Sequence, residues 1–297
     1  MGDITLRKAL DDYKTIYMPY RNFAERTREE YLNDIEDFAE FLEKGVIGHV
    51  KELGLPIIER YIAHLEQKGV ASLTRKRRVV AIRSFLSFLF QGGYIDTDMA
   101  KRIVLPFAES VTPQVLTQTE CNRLRMVCAN NPRDKAIVEL FLQTGIKLSE
   151  LVHLNLDDIE LYQKENIGQN LHGFIRISGD KGKKDRLIPL TTKAYQALKG
   201  YLGIRRGTVN KTLFLNRFDE PLGERGVQKM LRKLIRKAEI RRANINMLRH
   251  TFGVYQAATG TSVKTIQQLM GYKEVRSAII YTSLGKEMIK ATKNYAL

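Results

Sequence analysis

Cations dominate the side chains of this chain that can do chemistry. Lysine and arginine total 49 against 33 aspartates and glutamates, a formal net charge of +16, and only five histidines and two cysteines are present. No Gly-x-x-x-x-Gly-Lys-Ser/Thr phosphate loop, His-Glu-x-x-His pair or Gly-x-Ser-x-Gly elbow occurs. Asp157-Asp158 offers one pair of carboxylates, whereas a two-metal nuclease needs several convergent ones. Cys121 and Cys128 are too few for a disulfide framework or a thiolate zinc site, which fits a reducing cytoplasm. Such an inventory suits metal-free cleavage of a phosphodiester. A side-chain hydroxyl attacks, cations neutralise the charge growing on the nonbridging oxygens, and a general acid protonates the leaving oxygen. The charge excess independently points to a polyanionic partner. With no apolar run of about 18 residues and no secretion signal at Met1-Gly2-Asp3-Ile4, a membrane partner is not expected.

The elements that must position these groups read as mostly helical. Residues 1–110 carry 17 basic and 17 acidic side chains, so residues 111–297, with 32 and 16, own the whole excess. The length favours two domains, and the stretch from Leu105 to Pro113 reads as an extended linker. The expected division is 1–105 for a helical N-terminal domain, 106–115 for the linker and 116–297 for a second domain. In the first, Thr27 and Glu30 suggest a capping box, followed by Tyr31, Ile35, Phe38 and Leu42 at helical spacing. A second helix is expected from about Leu73 to Phe90, stopped by Gly92-Gly93, and its first turn holds Arg75-Lys76-Arg77-Arg78. That block reads as a solvated helix face or as a phosphate contact. In the second domain, Thr117 and Glu120 open a helix over 118–130, and another covers 132–144. Phe174 to Ser178 and Arg186 to Leu190 read as two strands joined by a glycine- and lysine-rich turn. Helices are expected over 191–203, 223–239, 246–258, 262–270 and 274–284. The fold class is mainly α with a small antiparallel β-sheet: an all-helical N-terminal domain and a mixed α+β second domain.

Three segments then resemble, in order, the tyrosine recombinase (phage-type integrase) family. Thr144-Gly145-Ile146-Lys147-Leu148-Ser149-Glu150-Leu151 is similar to the first catalytic box, ordinarily Thr-Gly-Leu-Arg-x-Ser-Glu-Leu. Gly179 to Leu190 resembles the β-hairpin segment with its catalytic lysine, here Lys181. Asn246-Met247-Leu248-Arg249-His250-Thr251-Phe252 resembles the His-x-Leu-Arg-His-Thr-Phe box. Leu269-Met270-Gly271-Tyr272 follows where Leu-Gly-His is usual, and Tyr281 comes nine residues after Tyr272, at the place of the nucleophile.

The resemblance implies that Tyr281 attacks the scissile phosphate to give a 3′-phosphotyrosyl link and a free 5′-hydroxyl. It further implies that Lys181 protonates the leaving 5′ oxygen, that Arg249 and Lys147 neutralise the nonbridging oxygens, and that Asn246 and Tyr272 complete the oxygen-binding ring. Glu150 and His250 are implied as supporting residues orienting the cations and the tyrosine. Lys183, Lys184, Arg186, Arg241 and Arg242, with Arg75 to Arg78, are the expected DNA-binding residues. Neither metal nor other cofactor is implied, because the covalent link conserves the bond energy. Three departures fall on the site itself: Lys147 for arginine, Asn246 for histidine or lysine, and Tyr272 for histidine or tryptophan. Lysine keeps the charge but loses the planar fork that holds two phosphate oxygens. It reads as a deliberate inactivating change or a natural weakening of activity. Each assignment has a plain alternative, with Tyr281 and Tyr272 as packing residues and the Lys181 run as backbone-phosphate contacts.

Family likeness further implies a C-shaped clamp of both domains on double-stranded DNA, and a homo-tetramer on two recombination sites. The tail, through Leu284, Met288 and Ile289, would dock on a neighbouring protomer, unless it packs as a terminal helix on its own chain. Because the helices start near residue 4, the chain resembles the two-domain Xer-like, transposon-resolvase and plasmid-resolvase members more than three-domain integrases. A bacterial cytoplasmic setting, association with the nucleoid through DNA, and accessory DNA-bending proteins are expected. Two other functions fit the same residues: a catalytically idle DNA-binding derivative, and a relaxing enzyme of the type IB topoisomerase kind.

Overall fold

The computed structural model describes residues 4–23, 25–108, 112–162, 172–179, 185–207 and 209–294, with backbone alone for 291–294. It divides into two compact units, Met1–Val111 and Thr112–Leu297. Among the described residues no helix is long and apolar enough to cross a membrane.

The first unit is helical throughout. Helix α1 (Leu6–Asp12) runs through a π turn at Tyr13–Tyr17 into α2 (Met18–Tyr20), and α3 (Glu25–Lys44), α4 (Leu55–Gln67) and α5 (Ser72–Gln91) follow. Ile35, Phe38 and Leu42 of α3 meet Ile58, Tyr61 and Leu65 of α4 and Val79, Ile82, Phe85, Leu86 and Leu89 of α5 in one core. On α3 and α5 these are the positions whose helical spacing marks them in the sequence. The Thr27 capping box does not form. Helix α3 begins two residues earlier, and Glu30 turns to Arg26 at 3.2 Å, one helical turn back, instead of to a cap. Helix α4 is a further helix that the sequence reading lacks, and its signal is Pro56 in the first turn.

The basic block on α5 also departs from expectation. Its three arginines are committed within the unit: Arg75 to Glu66 at 2.5 Å, Arg77 to Asp34, and Arg78 to Asp37. Asp34 is only 3% exposed, so α3 presents a buried acid to the face of α5 that carries these cations. Lys76 is the exposed member of the block.

The second unit comprises α6 (Gln118–Cys128), α7 (Pro132–Thr144), α8 (Leu148–Val152), β1 (Ile159–Leu161), β2 (Gly173–Ile177), β3 (Arg186–Pro189), α9 (Thr192–Leu202), α10 (Glu224–Lys237), α11 (Ile245–Ala258), α12 (Val263–Met270) and α13 (Arg276–Asn294). The Thr117–Glu120 capping box is present at the start of α6. The sheet is antiparallel in the order β1-β2-β3, with Ile175 paired to Ile159 on one side and Ile188 on the other. Strand β1 is additional to the two strands expected. Its close approach depends on Gly173, with φ 142°, where a Cβ would lie 2.0 Å from the Glu160 carbonyl oxygen.

Helix α11 is the hub. Leu248 belongs to the large core formed with α7, α9, α10 and the sheet, while Phe252 and Val254 join a separate cluster with Ile266, Met270, Ala278 and Tyr281. Arg249 and His250 therefore lie at the junction of two apolar bodies. Helix α13 continues well past residue 284, and Leu284 and Met288 pack on this second cluster of their own chain. In this single chain the two residues take the alternative expected of the tail, a terminal helix packed on its own chain. Gly285 permits the packing, since a Cβ there would lie 2.9 Å from the Ala258 backbone nitrogen. Ile289 stays 37% exposed.

Candidate active site

The site is built where α7, α11, α12 and α13 end or cross. Helix α7 stops at Gly145, whose φ of 59° is the left-handed conformation that closes helices. This turn releases the chain so that Lys147 caps α8 and Glu150, three residues on, accepts the Lys147 backbone N–H at 2.9 Å. The Lys147 ammonium lies 3.5 Å from Glu150 Oε1. Glu150 also holds the guanidinium of Arg186 from β3, with Nη1 donating to Oε1 at 3.0 Å and Nη2 to Oε2 at 2.7 Å. The Arg186 Nε–H donates to the Leu269 carbonyl at 3.0 Å. Burial alone would push the Glu150 carboxyl up, but the Arg186 hydrogen bonds, with the Arg186 and Lys147 charges, hold it below the usual carboxylate range.

Arg186 is accordingly a half-buried strut between β3, α8 and α12. Its fork, expected to contact phosphate, is engaged here by Glu150 and the Leu269 carbonyl. Gly271, with φ 63°, ends α12 beside it, and a Cβ there would lie 2.7 Å from Arg186 Nη1. The glycine serves the turn and the strut together.

Arg249 is 5% exposed and donates to the carbonyls of Gly145 and Met270. It thereby ties the turn after α7 to the end of α12, and its guanidinium lies 5.1 Å from the centroid of the Tyr272 ring. Tyr281, from α13, is 1% exposed. Its hydroxyl is 2.8 Å from His250 Nδ1 and 2.7 Å from the Tyr272 hydroxyl. Burial, then the hydrogen bond to Tyr272, push the Tyr281 phenol well above the ordinary tyrosine range, so it is protonated at neutral pH. Burial and the neighbouring Arg249 charge push His250 below its ordinary value, leaving a neutral imidazole. Arg249, His250, Tyr272 and Tyr281 are thus brought into one cluster from three segments.

Beside that cluster, Lys147, Glu150, Arg186, Gly271, Tyr272 and Lys273 line a cleft of about 520 Å³. Ser178, Gly179 and Asp185, the residues flanking the hairpin turn, line it too, and the Gly179 N–H donates to Asp185 Oδ1 at 3.0 Å. Lys181, Lys183 and Lys184 lie outside the described residues. Asn246 is exposed on the first turn of α11, where Asn244 is the cap and accepts the Met247 N–H at 3.0 Å. Arg241 and Arg242 are exposed in the turn before α11. Among the described residues no three His, Cys, Asp or Glu side chains converge to hold a metal ion.

Three contributors escape a reading of motifs. Lys273 adds a cation to the cleft, and Gln267 fixes its backbone by donating to the Tyr272 and Lys273 carbonyls at 3.2 and 3.1 Å. Gly253 makes room for the Tyr281 ring: a Cβ there would lie 3.0 Å from Tyr281 Cγ and 3.1 Å from Met270 Sδ. A glycine inside the helix that carries Arg249 and His250 is the signal that could have pointed to it.

Comparison with known proteins agrees with this construction. Residues 114–288 match the phage integrase family, and residues 10–93 match the phage integrase N-terminal SAM-like domain. Tyrosine recombinase XerC of Pelotomaculum thermopropionicum is 30% identical over 300 aligned residues, covering 95% of each chain. The fold is shared with the XerH site-specific recombinase bound to its palindromic difH substrate after cleavage, at TM-score 0.75 and 19% identity over 96% of this chain and 84% of that one. It is also shared with a lambda integrase tetramer bound to a Holliday junction, at TM-score 0.74 and 18% identity over 94% of this chain and 78% of that one. Matched across both units and along nearly the whole length of a curated relative, the chain belongs to the phage integrase family of tyrosine recombinases.

Proposed function

We propose that this chain is a site-specific DNA recombinase that breaks and rejoins duplex DNA through a 3′-phosphotyrosyl link at Tyr281. The observation that carries the reading is the buried Tyr281 hydroxyl held between His250 and Tyr272, with the Arg249 guanidinium against the Tyr272 ring. Arg249 and Lys147 neutralise the nonbridging oxygens, and Lys181 protonates the leaving 5′ oxygen. Tyr272 lines the phosphate site, while Asn246, exposed one turn before Arg249, contributes only a hydrogen bond. Glu150 orients Lys147 and Arg186. Phosphate contacts outside the site fall to Lys76, Arg241, Arg242 and the lysines of the hairpin turn. The chain works as a homo-tetramer on two sites, as the family likeness suggests, in the manner of Xer, resolvase or transposon enzymes.

Lys147 weakens the reaction. Replacing a bidentate guanidinium by a point charge removes one charge-assisted hydrogen bond, about 1.5–3 kcal/mol or roughly 10- to 100-fold in rate. The test is a nicked duplex, chosen by selecting bound sequences from a randomised pool, in which the freed 5′ segment diffuses away and the adduct accumulates. A covalent adduct is expected from the native chain, faster accumulation from Lys147→Arg, and none from Tyr281→Phe. No adduct even from Lys147→Arg, or an adduct from Tyr281→Phe, sinks the reading. The three departures at Lys147, Asn246 and Tyr272 favour a second reading, an idle DNA-binding derivative. It predicts sequence-specific binding without adduct even when Lys147→Arg, Asn246→His and Tyr272→His are combined. Relaxation of supercoils by monomer would instead mark a type IB topoisomerase-like enzyme.

A further inference from the structure

We propose that His250 is the proton acceptor for the Tyr281 nucleophile, a role that rests on the recombinase reading above. A phenol that attacks phosphorus must lose its proton, and at neutral pH it needs a base within hydrogen-bond reach. Among the described residues, two side chains bond the Tyr281 hydroxyl: His250 through Nδ1 at 2.8 Å and Tyr272 through its own hydroxyl at 2.7 Å. A second phenol cannot hold an extra proton near neutrality, whereas an imidazole can. Asn246 is an amide with no proton-accepting function, and it is exposed to solvent. His250 stands one helical turn further along α11, half-buried beside the ring of Tyr281 with centroids 5.9 Å apart.

The surroundings keep His250 ready to accept. The charge acting on it is Arg249, its neighbour on α11, which together with burial disfavours the imidazolium. Helix α13 contributes the Tyr281 phenol and the segment after α12 the Tyr272 phenol. From α7, Glu139 is turned to Arg125 and Asp134 to Arg133, so neither carboxylate stabilises a charged His250. His250 Nδ1 and the Tyr272 hydroxyl both lie within hydrogen-bond distance of the Tyr281 oxygen, and with Nδ1 unprotonated the imidazole is the partner that can take up the phenol proton. In the forward step the Tyr281 oxygen bonds phosphorus while its proton passes to His250 Nδ1, and the P–O5′ bond breaks as Lys181 protonates the 5′ oxygen. In rejoining, a 5′-hydroxyl forms the new P–O bond and gives its proton to Lys181, the P–O bond to Tyr281 breaks, and His250 returns the proton to the phenol.

The experiment follows single-turnover adduct formation on the nicked duplex against pH, in the native chain and in a Lys147→Arg background. Native protein is expected to lose rate about tenfold per pH unit below the His250 pKa, which lies under the ordinary value of about 6.5. His250→Gln is expected to lose about 10²-fold or more and to lose the acid limb with it. A substrate with sulfur at the bridging 5′ position, which departs without protonation, should rescue Lys181→Ala but not His250→Gln. His250→Ala should regain rate with added imidazole, so a poorly folded glutamine variant does not decide the outcome. An acid limb that survives in His250→Gln, rescue of that variant by the 5′-sulfur substrate, or no response of His250→Ala to imidazole would overturn the assignment. In each of those cases the native adduct still forms, so the recombinase reading stands; absence of adduct in both backgrounds overturns both.

Discussion

At the scale of single residues, buried charge separates grip from scaffold. Asp34 is 3% exposed and depends on Arg77 and Arg78, and burial still pushes its carboxyl above the usual range despite their opposing charges. Arg77→Ala leaves that acid short of a partner and should cost about 1–3 kcal/mol in urea unfolding. Lys76→Ala, at the exposed neighbour, should leave stability within about 0.5 kcal/mol and lower only DNA affinity. Glu150 gives a pH prediction of definite sign. Its folded pKa is depressed, so its contribution is present above the ordinary carboxylate value and is lost as pH falls through the lower folded value. The melting-temperature difference between native protein and Glu150→Gln should therefore be full at pH 6 and shrink toward pH 3. The sequence showed the candidate residues of this site because each box is local, with Lys147 and Glu150, or Arg249 and His250, within a turn of one another. It did not show that Arg186 would pair with Glu150, 36 positions away, or that Asp34 and Asp37 would pair with Arg77 and Arg78. Those pairings exist only after distant segments pack.

Elements set which of these residues can meet. Periodicity on α3 and α5 was readable because each buries one face, whereas the short β1 and α8 carry too few residues to show a period. The extent of α13 was hidden for a different reason: Gly285 reads as a break, yet it is the close-approach point against α11. This makes a prediction at the same scale. If Leu284 holds α13 on its own chain, Leu284→Ala should destabilise dilute protein by about 1–2 kcal/mol, less than a fully buried leucine because the site is partly exposed. A residue that contacted only another protomer would leave the unfolding of dilute protein unchanged.

For the whole molecule, the charge is a property of one part: residues 111–297 hold the entire +16 excess, along with every residue assigned to the site. Arg186, whose guanidinium is engaged by Glu150 and the Leu269 carbonyl, is expected to add little to a salt-sensitive grip. Exposed Arg241 and Arg242 remain available, and replacing both by alanine should reduce the slope of log affinity against log salt by about 2. An unchanged slope would show that DNA does not touch this turn.

The seat of Tyr281 has a further consequence for any broken strand the chain carries. A phosphate ester formed on a side chain that is 1% exposed, walled by Gly253 and Met270, would sit where bulk water has little access as a rival attacker. On the proposed reaction, that seat would shield the phosphotyrosyl link from hydrolysis and leave its reversal to an aligned 5′-hydroxyl.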